Sequence, residues 1–198
     1  MPILKVISSP SKKFCSRLQL IPYIIALCLF VSIPHLHGQT PTREYQLKAV
    51  FLFNFTQFVD WPAHSFETDR SPLVIGVLGE NPFGSFLEQT VSEEKINGHP
   101  VIVQYYKTEK EIKSCHILFI NVHDKENLRQ VLEDLKGKNI LTVSETNDFS
   151  SQGGMIRFIT SNNKIKLQIN IEACRESDLL LSSKLLRLAE IYKPQEKS

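Results

Sequence analysis

Apolar residues recur at spacings of three and four positions along residues 44–62, the stretch EYQLKAVFLFNFTQFVDWP. Such spacing predicts one apolar stripe of an amphipathic helix. The stripe comprises Leu47, Val50, Phe51, Phe55, Phe58 and Val59. Pro62 ends the predicted helix, because proline disfavours helical backbone geometry at the residue before it. We interpret the Leu47, Val50, Phe51 and Phe55 part of the stripe as core, since large apolar side chains are mostly buried.

Three aromatic residues, Phe53, Phe58 and Trp61, lie at the edge and the end of this stripe. Aromatic side chains are enriched at protein interfaces. These three are therefore the candidates for contact with a second copy of the chain or with a partner protein. The alternative is that they belong to the core of their own domain.

Four short runs of almost continuous apolar residues follow, and each predicts a strand that is buried on both faces. The runs are PLVIGVLG at 72–79, PVIVQYY at 100–106, CHILFINV at 115–122 and NILTVSE at 139–145. Residues 83–91 and 124–136 have helical apolar spacing, with Asn81 as the predicted cap of the first helix. Strands that alternate with helices predict a mostly parallel sheet flanked by helices.

The pattern changes in the last third of the chain. Residues 154–160 and 165–171 each predict a strand, and a tight turn joins them. Apolar and polar residues alternate in the second strand, so one of its faces meets water. These strands predict an antiparallel hairpin at the edge of the sheet, and residues 183–192 predict a closing helix. The predicted fold class is therefore α/β.

The first 38 residues have the composition of an export signal. They combine a basic start, an apolar run from Leu18 to Leu36 and a small residue, Gly38. This pattern is typical of a secretory signal peptide, and an uncleaved anchor is the alternative. The rest predicts one domain over residues 39–193 and a frayed tail over 194–198. Residues 1–38 hold four basic residues and no acidic one, so their removal turns a net charge of +2 into −2 and argues against a nucleic-acid partner.

Cys115 and Cys174 are the two cysteines that remain after the predicted signal peptide is removed. In an oxidising compartment, two cysteines suggest one disulfide, which would close a long loop and stabilise the fold. Two buried free thiols are the alternative, because spacing does not show whether the Cα atoms come within about 7 Å.

Glycines mark two loops at which a ligand or a partner could approach the backbone. Gly79 and Gly84 stand in GENPFGS, which has the glycine spacing of a phosphate-binding loop but lacks its lysine. Gly153 and Gly154 stand directly before MIRFIT. The alternative for both loops is a turn that needs flexible backbone.

Neither zinc-ligand spacing nor a nucleophile motif is present, so the sequence predicts no metal, no cofactor and no catalytic residue.

Five segments, in this order, resemble the YfiR-like family of periplasmic proteins over residues 44–193. They are LKAVFLFNFTQFVDWP, VIGVLGENPFG, CHILFI, GGMIRF and INIEACRESDLLLSSKLLRLAEIY. The resemblance implies a non-enzymatic regulator that binds and represses the periplasmic domain of a membrane-bound diguanylate cyclase, and so controls cyclic di-GMP and biofilm formation. It also implies an α/β sandwich, a homodimer, an outer-membrane lipoprotein as a second partner, and redox sensing through disulfides with Cys115 as one half.

Two hypotheses for the function follow from the residues and the resemblance together. The first is this periplasmic regulator. The second is a periplasmic small-molecule sensor whose pocket lies outside the strand ends, near Gly79, Gly84, Gly153 and Gly154, as is common in open α/β sheets. A hydrolase is a third hypothesis, but nothing in the sequence arranges acid–base residues for it.

Overall fold

The computed structural model describes residues 42–162 and 164–194. The predicted signal peptide and residues 195–198 of the predicted tail lie outside the described residues. Within them, the α-helices are α1 Arg43–Phe55, α2 Phe86–Val91, α3 Lys125–Leu135, α4 Ile171–Glu176 and α5 Ser183–Arg187. The strands are β1 Val59–Asp60, β2 Leu73–Gly79, β3 Lys95–Ile96, β4 His99–Tyr106, β5 Ile117–Asn121, β6 Leu141–Ser144, β7 Ile156–Ser161, β8 Lys164–Ile169, β9 Leu180–Leu181 and β10 Ala189–Ile191. None of these helices has the length and apolar composition needed to span a bilayer.

One mixed sheet organises the domain, with strand order β10-β8-β7-β6-β5-β2-β4-β3. Neighbouring strands pair in parallel at five of the seven contacts, and only β7–β8 and β3–β4 are antiparallel. The short strands β1 and β9 form a separate antiparallel pair. The predicted α/β class with a mostly parallel sheet is therefore confirmed.

The side chains of the sheet alternate between two apolar cores. Ile75 and Val77 of β2 and Phe119 of β5 point into the first core, which the apolar faces of α1, α2, α4 and α5 cover. Leu78 and Leu118 point into the second core, which α3 covers. This alternation explains why the strand sequences are apolar throughout, since a strand covered on both faces has no position for a solvated side chain.

The predicted antiparallel hairpin is confirmed as β7 and β8, in which Ile156 lies opposite Ile169. A further strand lies outside the hairpin, because the helix predicted for residues 183–192 ends at Arg187. The residues after it form β10, which pairs in parallel with β8. Ala189 and Ile191 fit the two-residue period of a strand as well as the helical period, so apolar spacing alone did not distinguish the two.

Helix α1 is shorter than predicted and is rotated about its axis. It ends at Phe55 rather than near Pro62, and the chain then enters β1. Its buried residues are Lys48, Ala49, Leu52 and Phe55. Leu47 and Val50, which we interpreted as core, are 45% and 37% exposed. The prediction was wrong because α1 is apolar on more than one face, and spacing alone does not select the face that meets the sheet.

Aromatic contacts fix the observed face of α1 on the sheet. The ring of Phe55 stacks on Phe158 of β7 with centroids 6.1 Å apart, and Phe51 lies 5.9 Å from the same ring. Each such pair contributes about 0.5–1.5 kcal/mol beyond the burial of its area. Ala49 and Leu52 are fully buried and lie on the same face of α1 as Phe55.

Candidate functional site

The order of the parallel strands reverses at β2. The chain passes from β2 to β4 on one side and then to β5 on the other. In open α/β sheets, the crevice outside the carboxyl ends of the strands at such a switch point is the usual ligand site. Here β2 ends at Gly79 and β5 ends at Asn121, and these two residues are paired across the ladder.

The structure closes this switch point with contacts inside the chain. Gly79 has φ +92°, and a Cβ added to it would lie 2.3 Å from the carbonyl oxygen of Asn121. The Asn121 side chain donates a 2.9 Å hydrogen bond to the carbonyl of Glu80. Gly79 therefore allows two strand ends to approach each other, and this contact accounts for the glycine without a ligand.

Gly84 belongs to a turn that is held by Asn81. The Asn81 side chain accepts a hydrogen bond from the Phe83 N–H at 2.9 Å and donates one to the carbonyl of Gly84 at 3.0 Å. Asn81 was predicted as a helix cap, but α2 starts at Phe86, so Asn81 caps this turn instead. The turn buries the Phe83 ring completely, at 4.9 Å from the ring of Phe119.

Gly153 and Gly154 lie at the opposite end of the sheet from Gly79. They precede Ile156, which is level with Val143 in the middle of β6, whereas Gly79 is level with Asn121 at the end of β5. A Cβ on Gly154 would lie 2.3 Å from the Phe149 ring, so close packing requires this glycine. The structure therefore does not bring the two glycine pairs together at one strand end, and their role in the approach of a ligand stays a prediction.

A cluster of charged groups surrounds Lys48, a residue for which we predicted no role. Lys48 is 1% exposed, and its ammonium forms ion pairs with Glu44 and Glu145. The Tyr45 hydroxyl donates a 2.7 Å hydrogen bond to Glu145, and the Thr160 hydroxyl donates one of 2.7 Å to Glu44. The ammonium also lies 4.7 Å from the centroid of the Tyr45 ring. We call these five residues the Lys48 cluster.

The protonation states of the Lys48 cluster follow from its contacts. The hydrogen bonds from Lys48 and Thr160 hold the pKa of Glu44 below its ordinary value. Burial, and then the bond to Glu145, raise the pKa of Tyr45 above its ordinary value. Glu44 is thus charged and Tyr45 is neutral at physiological pH. The contacts of the cluster join α1 to β7 and to the end of β6.

An open cavity of about 440 Å³ lies beside the Lys48 cluster. Its lining residues come from α1 and from the β7–β8 hairpin. They are Arg43, Glu44, Leu47, Thr160 and Ile165. Leu47 is exposed at its rim, and Val50, one turn further along α1, is exposed as well. We call the surface formed by Leu47, Val50 and this cavity the α1 outer face.

The three aromatic residues predicted as interface candidates are less exposed than the α1 outer face. Phe53, Phe58 and Trp61 are half-buried and pack against the first core. The structure does not bring them together with Leu47 and Val50 as one exposed set. No local signal in the sequence points to Leu47 and Val50, because the partner that allows Lys48 to be buried, Glu145, lies far along the chain.

A second polar cluster lies at the amino end of the sheet, around His116. This residue precedes β5 and is 1% exposed, and its Nδ1 accepts a 3.1 Å hydrogen bond from the Val74 N–H. Phe66 stacks on its ring with centroids 4.4 Å apart, and the Trp61 ring meets it edge-on at 5.9 Å. Burial lowers the pKa of His116 to about 4, against a smaller opposite effect of the Ser65 backbone. His116 is therefore neutral at physiological pH.

Nowhere in the described ranges do three or more His, Cys, Asp or Glu side chains form a group that could hold a metal ion.

A comparison with known protein families identifies the family of this chain. The model of the YfiR/HmsC-like family matches residues 45–190, from the start of α1 to β10. The chain belongs to the YfiR/HmsC-like family. Among individual curated proteins, none matches it.

The two cysteines of this YfiR/HmsC-like domain are free, buried thiols. Cys115 packs in the second core and Cys174 in the first, so they lie on opposite faces of the sheet. Burial raises the pKa of each thiol to about 12, which leaves both protonated and unreactive at physiological pH. The Cys115–Cys174 disulfide that the spacing left open is not formed in this structure.

We expect the YfiR/HmsC-like domain to lose stability between about pH 6.5 and pH 4 through His116. Because the folded-state pKa is lowered, the unfolded chain binds more protons in this window, and stability rises with pH. The contribution of about 2–3 kcal/mol is complete above the unfolded pKa and is lost on acidification. Urea unfolding at several pH values should show this slope, and His116→Phe, which keeps a stacking ring, should reduce it. An unchanged slope in His116→Phe would contradict the assignment.

Proposed function

We propose that this protein is a non-enzymatic periplasmic regulator that binds and represses the periplasmic domain of a membrane-bound diguanylate cyclase. Membership of the YfiR/HmsC-like family over residues 45–190 is the observation that carries the proposal. Export through the predicted signal peptide would place the domain in the periplasm. Release of the repressor would then raise cyclic di-GMP and favour biofilm formation.

We propose the α1 outer face as the surface that meets the cyclase. Leu47 and Val50 expose apolar side chains beside an open cavity, with Arg43 and Glu44 at its border. An apolar centre with a polar border is the usual composition of a protein interface. Phe53, Phe58 and Trp61 remain candidates for its margin, although part of each ring is already covered by the first core.

A homodimer and sequestration by an outer-membrane lipoprotein are further parts of the proposal. Both rest on the family likeness. Sedimentation of the purified domain would test the dimer independently of the cyclase. A monomer at micromolar concentration would remove the dimer from the proposal and leave the regulatory role in place.

Deletion of the gene, with measurement of cellular cyclic di-GMP, is the direct test of repression. We expect the cyclic di-GMP level to rise on deletion and to fall again when the wild-type protein is restored. The tagged protein should capture a membrane protein with a cyclase domain from solubilised membranes. An unchanged cyclic di-GMP level together with no captured cyclase would reject the proposal.

We expect the double variant Leu47→Glu, Val50→Glu to lose cyclase capture by at least about tenfold, because it places two charges in a desolvated contact. The fold should survive, since both side chains already face solvent and such substitutions usually cost about 1 kcal/mol or less. Leu180→Glu is the matched control, because Leu180 is 67% exposed and lies outside α1. Equal capture by the double variant and the control would move the interface elsewhere.

The cavity of the α1 outer face favours a second function, that of a small-molecule sensor. Its volume of about 440 Å³ falls within the range of ligand pockets, and it combines two charged residues with Leu47 and Ile165. A metabolite at about one hundred times its dissociation constant should stabilise the domain by about 2.7 kcal/mol. A thermal-shift screen in which no metabolite raises the Tm would count against this function and would leave the first one untouched.

A further inference from the structure

Strand β4 lies near one edge of the sheet, and the backbone groups on its outer side are only partly paired. It pairs in parallel with β2 over residues 101–106. On its other side, β3 pairs only with His99 and Pro100. No other strand in the described part of the chain pairs with β4. The outer side of β4 is therefore an open sheet edge beyond Pro100.

One hydrogen bond shows which backbone groups of β4 face this open edge. The Val101 N–H donates at 3.0 Å to the carbonyl of Glu94, which directly precedes β3 and so lies on the side away from β2. The backbone groups of successive strand residues point to alternate sides. Those of Val103 and Tyr105 therefore also point away from β2. On that side, no described residue bonds to their N–H or C=O groups.

The open edge of β4 lacks the features that normally prevent an edge strand from pairing with another chain. Such features are charged side chains, prolines and bulges. Residues 101–106 read VIVQYY, without a charge or a proline, and their pairing with β2 is continuous. Gln104 is exposed, and Tyr105 is 43% exposed. The opposite edge strand, β10, is only three residues long and carries Glu190. A further strand can therefore be added at β4.

We propose that β4 pairs antiparallel with β4 of a second copy of this chain, so that two eight-stranded sheets become one continuous sheet. The twofold axis passes between the two Gln104 residues. Val103 of each copy then lies opposite Tyr105 of the other, and each of these pairs exchanges two N–H···O bonds. Every free N–H and C=O group of Val103 and Tyr105 gains a partner. This inference rests on the homodimer of the proposed function and specifies its interface.

Hydrogen bonds inside the chain exclude the neighbouring registers of this pairing. A register centred on Val103 would require the Val101 N–H, which already donates to a carbonyl of its own chain. A register centred on Tyr105 would require the Lys107 N–H, which already donates to the Glu111 carboxylate at 2.9 Å. Only the register with the axis at Gln104 uses free groups alone.

A second copy fits this edge because the free stretch is complementary to itself. It offers two N–H and two C=O groups, and an antiparallel copy presents the same groups in reverse order. Val103 and Tyr105 would form a cross-strand pair of a β-branched and an aromatic residue, which is a favourable combination. Gln104 is uncharged, so it meets its own copy without the repulsion that a charged residue on the axis would cause.

Cysteine crosslinking of the mature protein tests the register directly. Opposite residues at a non-hydrogen-bonded position have Cα atoms about 4.5 Å apart, which lies within the range of disulfides. We expect Gln104→Cys to form a covalent dimer under mild oxidation, visible on a non-reducing gel and lost on reduction. Gln130→Cys, at an exposed glutamine of α3, is the matched control and should stay monomeric on the gel. Crosslinking of neither variant, or of both equally, would overturn the proposed interface.

A charge on the twofold axis provides an independent test. Gln104→Lys should weaken the dimer at least about tenfold in sedimentation, because it places two like charges side by side in the interface. Gln130→Lys should leave the dimer unchanged. A wild-type protein that sediments as a monomer, or a Gln104→Lys variant that dimerises like the wild type, would overturn the proposal.

The outcomes also separate this interface from the regulatory function. The rise of cyclic di-GMP on deletion of the gene does not depend on how β4 pairs, so the regulatory function can hold when the β4 interface fails. A dimeric wild type whose Gln104→Cys variant does not crosslink would place the dimer interface elsewhere and reject this one. If the wild type is a monomer and Gln104→Lys loses capture of the cyclase, the edge takes a strand of the cyclase, which also overturns the proposal.

Discussion

Replacement of Lys48 by methionine should lower the free energy of unfolding by about 2–4 kcal/mol, between the values for exposed and buried ion pairs. The Lys48 ammonium is buried, whereas the carboxylates of Glu44 and Glu145 are 39% and 30% exposed. The ammonium is the only cation that contacts Glu44 and Glu145 among the ion pairs of the described residues. Methionine fills a similar volume, so the loss measures the charge rather than a cavity. Equilibrium unfolding in urea at pH 7 would give the value.

Lys125→Met is the matched control for this experiment. Lys125 also forms an ion pair, with Asp148, but its side chain is 75% exposed. Exposed pairs contribute about 0–1 kcal/mol, so the control should be almost neutral. If both variants lose the same small amount, water has access to the Lys48 ammonium in solution, and the cluster does not fix α1 on the sheet.

The central strands β2, β5 and β6 were predictable, because burial on both faces requires a continuous apolar run in the sequence. A central strand of a parallel sheet has no solvent-facing position, so β2 and β5 are apolar at nearly every residue. Helix α3 was predictable for a similar reason, since its apolar residues follow a single stripe and Asp124 caps its first turn with a 2.8 Å bond to the Asn127 N–H. For each of these elements, the pattern of apolar residues within a stretch of about ten residues is enough to predict the element and its buried face.

The buried face of α1 and the Lys48 cluster were not predictable, because the residues that interact there lie far apart in the chain. Glu145 is 97 residues from Lys48, and Thr160 is 116 residues from Glu44. A lysine inside an apolar helix is normally assigned to the solvent face. If Lys48 faced solvent, Leu47 and Val50 would lie on the buried face of α1, as we predicted. Only the fold brings Glu145, at the end of β6, to the point where Lys48 can be buried and paired.

Helix α1 therefore has two faces with different consequences for the proposed regulator. The inner face, with Lys48 and Phe55, is held by charge pairing and by stacking on Phe158. This anchoring keeps Leu47 and Val50 on the outside, where burial against another protein would remove apolar surface from water. The variants of Lys48 and of the α1 outer face thus separate stability from recognition on a single helix.

Replacement of Gly79 by alanine should lower the free energy of unfolding by about 3–4 kcal/mol. A residue with a Cβ loses about 1–2 kcal/mol at positive φ, which is +92° here. The added Cβ also lies 2.3 Å from the Asn121 carbonyl oxygen, and backbone shifts that relieve such overlap cost about 1–3 kcal/mol more. Urea unfolding of the variant against the wild type measures the sum.

Gly98→Ala isolates the two contributions, because Gly98 has nearly the same φ, +91°, with no atom within 4 Å of an added Cβ. The control should lose only about 1–2 kcal/mol, the cost of the backbone conformation alone. The difference between the variants then measures how tightly the carboxyl ends of β2 and β5 are closed. Equal losses would mean that these strand ends separate in solution, and that the switch point has room for a ligand after all.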